Sequence, residues 1–208
     1  MFLLKRVCLM VQESGPGWRV SADIHREMLL ALYIRDLAAI EPMGTPALAP
    51  LSPKVKPSAA GELARESAGE LRQEWQTWFE RILRDGLGPL DLDFEPDFIQ
   101  FDDSPSLQQL LRAHYGTAYT WTQSRMGEYQ DYCRRNTSER SILVSEVFFE
   151  HELGAVGSTD VHLQLVELPL AEPRAWFVEP NTVLISQSLV HDAELFRSYL
   201  GPIISMIK

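Results

Sequence analysis

Apolar residues recur at helical spacing in three parts of the chain. Residues 61–84 give the clearest case, because their apolar positions form one continuous stripe at i, i+4, i+7, i+11, i+14 and i+18. Residues 21–40 show a broader apolar set after a candidate N-cap at Ser21, and Ser104-Pro105 is typical of the start of a helix over 105–135, which we expect to be disturbed at Gly116. The apolar residues of the clearest stripe are Ala64, Ala68, Leu71, Trp75, Trp78 and Ile82. At helical spacing its two tryptophans predict core positions rather than an aromatic recognition surface.

The pattern changes in the final third of the chain. Residues 142–153 and 161–168 are rich in Val, Leu and Phe and enclose the loop-like residues 154–159, which predicts an antiparallel β-hairpin. Glu179-Pro180-Asn181 is a turn sequence, and we expect short strands on both sides of it. Apolar pairs recur every four residues from Leu195 to Ile207 and predict an amphipathic closing helix with a kink at Gly201-Pro202.

Together these elements predict an α+β fold, in which the helical N-terminal two-thirds packs on a small C-terminal antiparallel sheet closed by a final amphipathic helix. A chain of 208 residues is expected to form a single domain. Five prolines between 42 and 57 exclude a helix there and predict an extended strap, with Leu48, Leu51 and Val55 lying on a surface. The predicted parts are a strand and helix (1–41), a Pro-rich strap (42–60), a helical part with an acidic loop at 85–104 (61–140), and a hairpin sheet with the closing helix (141–208).

The chain has a net charge of −10, which bears on the partners that we expect it to bind. Residues 1–60 carry a small basic surplus, whereas 61–140 and 141–208 each carry six more acidic than basic side chains. Because such a surface repels phosphate groups, nucleic acids and anionic membranes are excluded as partners. A basic protein is favoured, and the acidic loop supplies the candidate partner-binding residues Asp91, Asp93, Asp97 and Asp102.

Cysteine usage predicts the compartment. The chain has two cysteines, Cys8 and Cys133, and neither lies in a C-x-x-C or zinc-binding spacing. We interpret both as buried free thiols. The longest apolar stretch at the N-terminus is five residues, which is too short for a signal sequence or a membrane span. These observations predict a cytoplasmic protein.

Two histidines and the acidic residues near them form the one candidate metal-binding group in the sequence. If the hairpin turns at 154–159, His151 lies opposite His162, with Cβ atoms about 5 Å apart. Two imidazoles at that distance, with Glu150, Glu152 or Asp160 nearby, form a candidate site for a divalent metal. The default expectation is that the protein has no cofactor, and the metal site is the alternative to it.

The same hairpin register has a cost. It sets Glu146 against Glu167, and two carboxylates in that position require a proton or a bridging cation. A slip of one residue would move each histidine to the opposite face from its partner and remove the site.

No complete catalytic set is present in the sequence. We therefore expect a non-enzymatic, acidic binding or accessory protein that acts through protein–protein contacts. The first alternative is a metal-dependent hydrolase that uses His151 and His162, and the second is a self-assembling structural protein. The sequence leaves the partner, the substrate and the oligomeric state open.

Overall fold

The computed structural model describes residues 9–12, 18–42, 46–58, 68–84, 96–152 and 161–206. Contacts within the chain divide it into two compact units. The sheet unit comprises residues 1–24 and 127–208, and the helical unit comprises 25–126. The predicted α+β class is confirmed, whereas the single-domain organisation stays a prediction. No described helix is both long enough and apolar enough to span a bilayer.

The helical unit begins with α1, Arg26–Leu37. Its N-cap is His25, whose Nδ1 accepts a hydrogen bond from the backbone N–H of Met28 at 3.3 Å. The predicted start at Ser21 is therefore wrong, because Ser21 lies in a strand. Most of α1 is buried on all sides, including the guanidinium-bearing side chain of Arg35.

The described part of the Pro-rich strap, 46–58, packs against α1. Leu48, Leu51 and Val55 are buried, so the apolar positions between the prolines hold the extended segment on the protein surface. The Arg35 guanidinium donates to the backbone carbonyl oxygens of Leu48 and Ala49, at 2.8 and 2.9 Å. These bonds give a buried cation its partners and fix the path of the strap.

The second helix, α2, is described from Ala68 to Arg84 and buries the predicted stripe from Leu71 to Ile82, whereas Ala64 lies outside the described residues. Trp75 stacks on Phe79 at 5.0 Å between ring centroids, and its indole N–H donates to the backbone oxygen of Ala31 at 2.8 Å. Trp78 packs edge-on against Phe101, which lies in a short 3-10 helix, Ile99–Phe101. The core role of both tryptophans is confirmed.

The third helix, α3, runs from Pro105 to Glu152, and its backbone departs from helical geometry at Asn136 (φ −119°, ψ 15°). We call residues 137–152 the C-terminal arm of α3. The Asn136 side chain donates to the backbone oxygen of Tyr132 at 2.8 Å, which stabilises the break. The predicted helix end at residue 135 thus coincides with this kink, but the predicted disturbance at Gly116 does not occur.

The sheet unit contains five strands in the order β1-β2-β3-β5-β4. The strands are β1 (Leu9–Gln12), β2 (Trp18–Asp23), β3 (Val161–Leu168), β4 (Ala175–Val178) and β5 (Thr182–Ser186). β3 is parallel to both β2 and β5, whereas β1 and β4 pair antiparallel at the two edges. The sheet is therefore mixed and not antiparallel throughout, although the predicted strands on both sides of Glu179-Pro180-Asn181 are confirmed as β4 and β5.

The predicted hairpin between 142–153 and 161–168 is wrong. The first segment is helical up to Glu152, because Val144, Val147 and Phe148 are buried at i, i+3 and i+4, which is the period of a helix and not of a strand. Its β-branched and aromatic composition favoured a strand, but burial of one helical face decided the structure. The arm packs on the sheet residues Trp18, Val20, Ala22, Leu163, Leu165, Val183 and Ile185.

Two further helices, α4 (Gln187–Val190) and α5 (Ala193–Met206), follow β5. Phe196, Leu200, Ile203 and Ile204 of α5 belong to the same core as the arm of α3. The predicted closing helix is confirmed, and α5 continues through Gly201 and Pro202.

Candidate interaction surface and buried ion pair

A buried ion pair joins the arm of α3 to the sheet. Glu167 shares the helix-covered face of β3 with Leu163 and Leu165, and its Oε1 accepts from the guanidinium of Arg140. Glu167 is 2% exposed and Arg140 is 4% exposed. The rings of Tyr129 and Tyr132 lie 5.7 and 5.3 Å from the guanidinium carbon of Arg140, within the range of a cation–π contact.

Burial perturbs the titration of this cluster. Desolvation raises the pKa of Glu167 from 4.5 to about 7, against the opposing effects of the Arg140 charge and of the nearby Tyr129 hydroxyl. The negative charge of Asp23 raises that pKa further. Burial lowers the pKa of Arg140, but the charges of Glu167 and Tyr129 outweigh burial, so the net change is upward and Arg140 stays protonated. The pair is therefore a permanent cation beside a carboxylate that titrates near neutral pH.

Cys133 lies against this cluster. Arg140 Nη1 donates to its sulfur at 3.0 Å, and the side chain is buried as predicted. The structure has Cys133 in a disulfide, so the prediction of a free thiol is wrong for this residue. Cys8, the other cysteine of the sequence, lies outside the described residues.

Above the ion pair lies a groove of about 400 Å³ between the arm of α3 and the start of α5. Its polar lining includes Tyr132, whose hydroxyl is 3.4 Å from His191 Nδ1 and whose ring meets the imidazole edge-on. Ile142, Leu143, Val190 and Ala193 supply the apolar part of the lining. A volume of this size is within the range of small-molecule sites, so its charge decides what it accepts.

The positive charges of the groove are already neutralised. Arg140, which lines the groove, is paired with Glu167, and Arg197 donates to Glu146 at 2.7 Å. Arg197 also lies 3.4 Å from Glu194 and 4.0 Å from Glu150, so three carboxylates surround one guanidinium. This arrangement disfavours a small anion and leaves an acidic rim.

The arm of α3 carries exposed apolar residues beside this rim. Ile142 and Phe149 are both 58% exposed, although each is a large apolar side chain. With Glu139, Glu146 and Glu150 they fall at helical spacing on one face of the arm. We call these five residues the acidic–apolar stripe. Large apolar side chains exposed on a helix next to a groove are typical of a protein-binding surface.

The structure does not form the predicted histidine pair. His151 and Glu152 occupy the last turn of α3, and Asp160 lies outside the described residues. His162 is exposed on β3, where its Nε2 is 3.2 Å from Ser21 Oγ on the neighbouring strand β2. The hairpin that would oppose His151 and His162 is absent, and no group of three metal-ligating side chains occurs in the described part of the chain.

The predicted opposition of Glu146 and Glu167 does not occur, and each carboxylate has an arginine partner. Glu146 pairs with Arg197, while Glu167 pairs with Arg140. The two carboxylates lie on different elements, a helix and a strand, so they are not cross-strand neighbours.

Half of the predicted acidic partner-binding set can be placed. Asp97 and Asp102 are exposed on either side of the 3-10 helix, and Asp91 and Asp93 lie outside the described residues. The side chain of Gln108 donates to Asp102 Oδ1 at 2.7 Å and to the backbone oxygen of Asp97 at 3.1 Å. Asp102 thus already has an intramolecular partner in the helical unit.

Sequence reasoning identified Glu167 as a carboxylate that needs a proton or a cation but missed its partner, Arg140. A signal was available, because Glu167 occupies an inward position in the apolar run of β3 and an isolated charge there requires a buried counter-charge. Comparison of the chain with models of protein families, with curated proteins and with solved structures found no match.

Proposed function

We propose that the protein is a non-enzymatic binding protein and that it contacts another protein through the acidic–apolar stripe and the adjoining groove. The observation that carries the proposal is the exposure of Ile142 and Phe149 on one face of a helix whose opposite face is buried. Burial of these two apolar side chains against a partner would contribute favourable free energy to association. This proposal moves the interface from the acidic loop of the helical unit to the sheet unit.

A photo-crosslinking amino acid placed at residue 142 of the full-length protein tests the proposal in the cells that make it. We expect one discrete crosslinked species, which is lost when Phe149→Ser is introduced on the same stripe. Ile99 is the matched control, because it is 55% exposed and lies in the helical unit. Equal crosslinking from positions 99 and 142, or crosslinking that survives Phe149→Ser, would refute the assignment of the interface.

The enzymatic alternative has less support. Its metal site depended on a hairpin that the structure does not contain, so no described pair of histidines carries it. Protein–protein binding needs neither a cofactor nor a metal, and the proposal includes none.

A cytoplasmic location stays part of the proposal, and the disulfide of Cys133 makes it testable. Disulfides persist mainly in oxidising compartments. Lysis of cells directly into denaturant with an alkylating reagent and no reductant exposes this buried side chain and should modify Cys133 if the protein is cytoplasmic, after which the protein resists a second label added under reducing conditions. Complete protection of Cys133 from the first reagent would contradict the cytoplasmic location.

A further inference from the structure

The acidic–apolar stripe defines the kind of partner that fits it. We infer that its occupant is a basic amphipathic helix of another protein, with two apolar residues seven positions apart and basic residues between and beyond them. This inference rests on the proposed function and specifies the partner of the same surface. Three features of the stripe carry it: the spacing of the apolar residues, the charge around them, and the repulsion that the same surface would meet in a second copy.

The spacing favours a helical partner. Ile142 and Phe149 are seven residues apart in a helix, which separates them by about 10 Å along the helix axis. A partner helix presents apolar side chains with that separation at i and i+7, on one face. An extended partner covers about 10 Å in three residues, and residues i and i+3 of a strand point to opposite faces. Only the helix can engage both anchors with one regular face.

The charge favours a basic partner. Four carboxylates line or border this face: two line the groove, and two more lie beside Arg197, whereas the other arginine of the groove, Arg140, is paired with Glu167. Arg197 already shows that these carboxylates hold a guanidinium, at 2.7 Å from Glu146 and 3.4 Å from Glu194. The surplus carboxylates are left for cations of a partner. The four carboxylates belong to Glu139, Glu146, Glu150 and Glu194.

The same charge argues against a second copy of this chain. Two copies that joined through this face would set acidic stripes against each other, and like charges opposed at an interface disfavour association. An anionic lipid surface is repelled for the same reason. The stripe is therefore complementary to a basic helix and not to itself.

A synthetic peptide tests the inference with the full-length protein. The probe is an 18-residue helical peptide with Leu at i and i+7 and Lys or Arg at the flanking positions, labelled for fluorescence anisotropy. Two control peptides keep the length, one with Glu in place of the basic residues and one with the same composition but the leucines five positions apart. We expect binding of the probe to exceed that of either control by about tenfold or more. Binding should weaken as salt is raised.

Protein variants show whether the peptide occupies the stripe. Glu139→Gln with Glu150→Gln should weaken binding about 3- to 10-fold. The matched control is Glu172→Gln with Glu179→Gln, which removes the same charge from exposed positions elsewhere in the sheet unit. Ile142→Ser should weaken binding about tenfold, whereas Ile99→Ser should not.

The outcomes separate the inference from the proposed function. Equal effects of the two charge pairs, or equal binding of the Glu-substituted peptide, would overturn the basic helix. If crosslinking from residue 142 still depends on Phe149 in that case, the surface remains an interface with a partner of different chemistry. If binding of the probe peptide depends on Ile142 and on Glu139 with Glu150, the inference stands.

Discussion

Replacing Arg140 with methionine tests the account of the buried ion pair most directly. The substitution keeps most of the volume of the side chain and removes its charge, so Glu167 loses the cation with which it forms an ion pair. Removing one partner of a buried pair costs about 3–5 kcal/mol when the other stays charged. Glu167 avoids an unpaired buried charge below about pH 7 because it is then protonated, since burial raises its pKa to about 7.

The expected cost therefore depends on pH, with a definite sign. In the wild type the pKa of Glu167 is higher in the folded than in the unfolded chain, so its contribution to stability is fully present below about pH 4.5 and is lost as pH rises through 7. Above about pH 7, Glu167 is ionised in both the folded and the unfolded chain, so its titration no longer changes the free energy of unfolding. In Arg140→Met the cation that lowers this pKa is absent, so the pKa of Glu167 is higher and the variant continues to lose stability above pH 7.

The magnitude follows from the linkage. One pKa unit corresponds to about 1.4 kcal/mol, so the cost of Arg140→Met should grow by about 1.4 kcal/mol for each pH unit above 7, up to the new pKa of Glu167. At pH 5.5 Glu167 is protonated in both proteins, and the cost should be about 1–2 kcal/mol from lost hydrogen bonds. At pH 8.5 it should reach about 3–4 kcal/mol, which agrees with the range for a broken buried pair.

Urea titrations at pH 5.5, 7 and 8.5, followed by circular dichroism, measure these costs. Glu167→Gln is the control, because it removes the titrating group and should flatten the pH dependence of stability between 5 and 8. The double variant Arg140→Met/Glu167→Met should recover most of the stability that Arg140→Met loses at pH 8.5. A cost of Arg140→Met that is the same at pH 5.5 and 8.5 would show that Glu167 does not titrate in this range and would refute the reasoning.

The remaining predictions concern the core, the acidic loop and the histidine on β3. Trp78→Ala should lower the free energy of unfolding by about 3–5 kcal/mol, because the ring is buried against Phe101, and a variant of full stability in a urea titration would contradict its core role. Protein purified without a metal-affinity tag should contain no stoichiometric zinc, manganese, nickel or iron, and His162→Ala should change stability by less than about 1 kcal/mol; one equivalent of metal lost with His162 would restore the metal-site hypothesis. The four candidate carboxylates of the acidic loop are Asp91, Asp93, Asp97 and Asp102. Neutralising all four should leave crosslinking from residue 142 unchanged. Loss of that crosslinking would show that the acidic loop takes part in the interface.

Much of the helical unit could be predicted from the sequence, because its signals are local. The stripe of α2 repeats at helical spacing, so it fixed both the helix and the burial of Trp75 and Trp78. Proline spacing alone excluded a helix in the strap, and the apolar residues between the prolines are buried as expected. The start of α3 at Pro105 follows from proline at the first helical position.

The arm of α3 shows where local signals conflict. Residues 142–152 have the composition of a strand and the apolar period of a helix, and the period agreed with the structure while the composition did not. That conflict removed the hairpin, and with it the opposition of His151 and His162. The candidate metal site lost this geometric support because it depended on one pairing between two segments.

The sequence by itself determined the helical period, the extended strap, the turn between β4 and β5, the closing helix and the net acidic charge. Only the tertiary structure decided that β3 lies between two parallel strands, that Glu167 meets Arg140, and that Ile142 and Phe149 stay exposed. The physical reason is range. Period, turn chemistry and net charge are properties of neighbouring residues, whereas strand order, ion pairing and exposure depend on which distant segments the folded chain brings into contact.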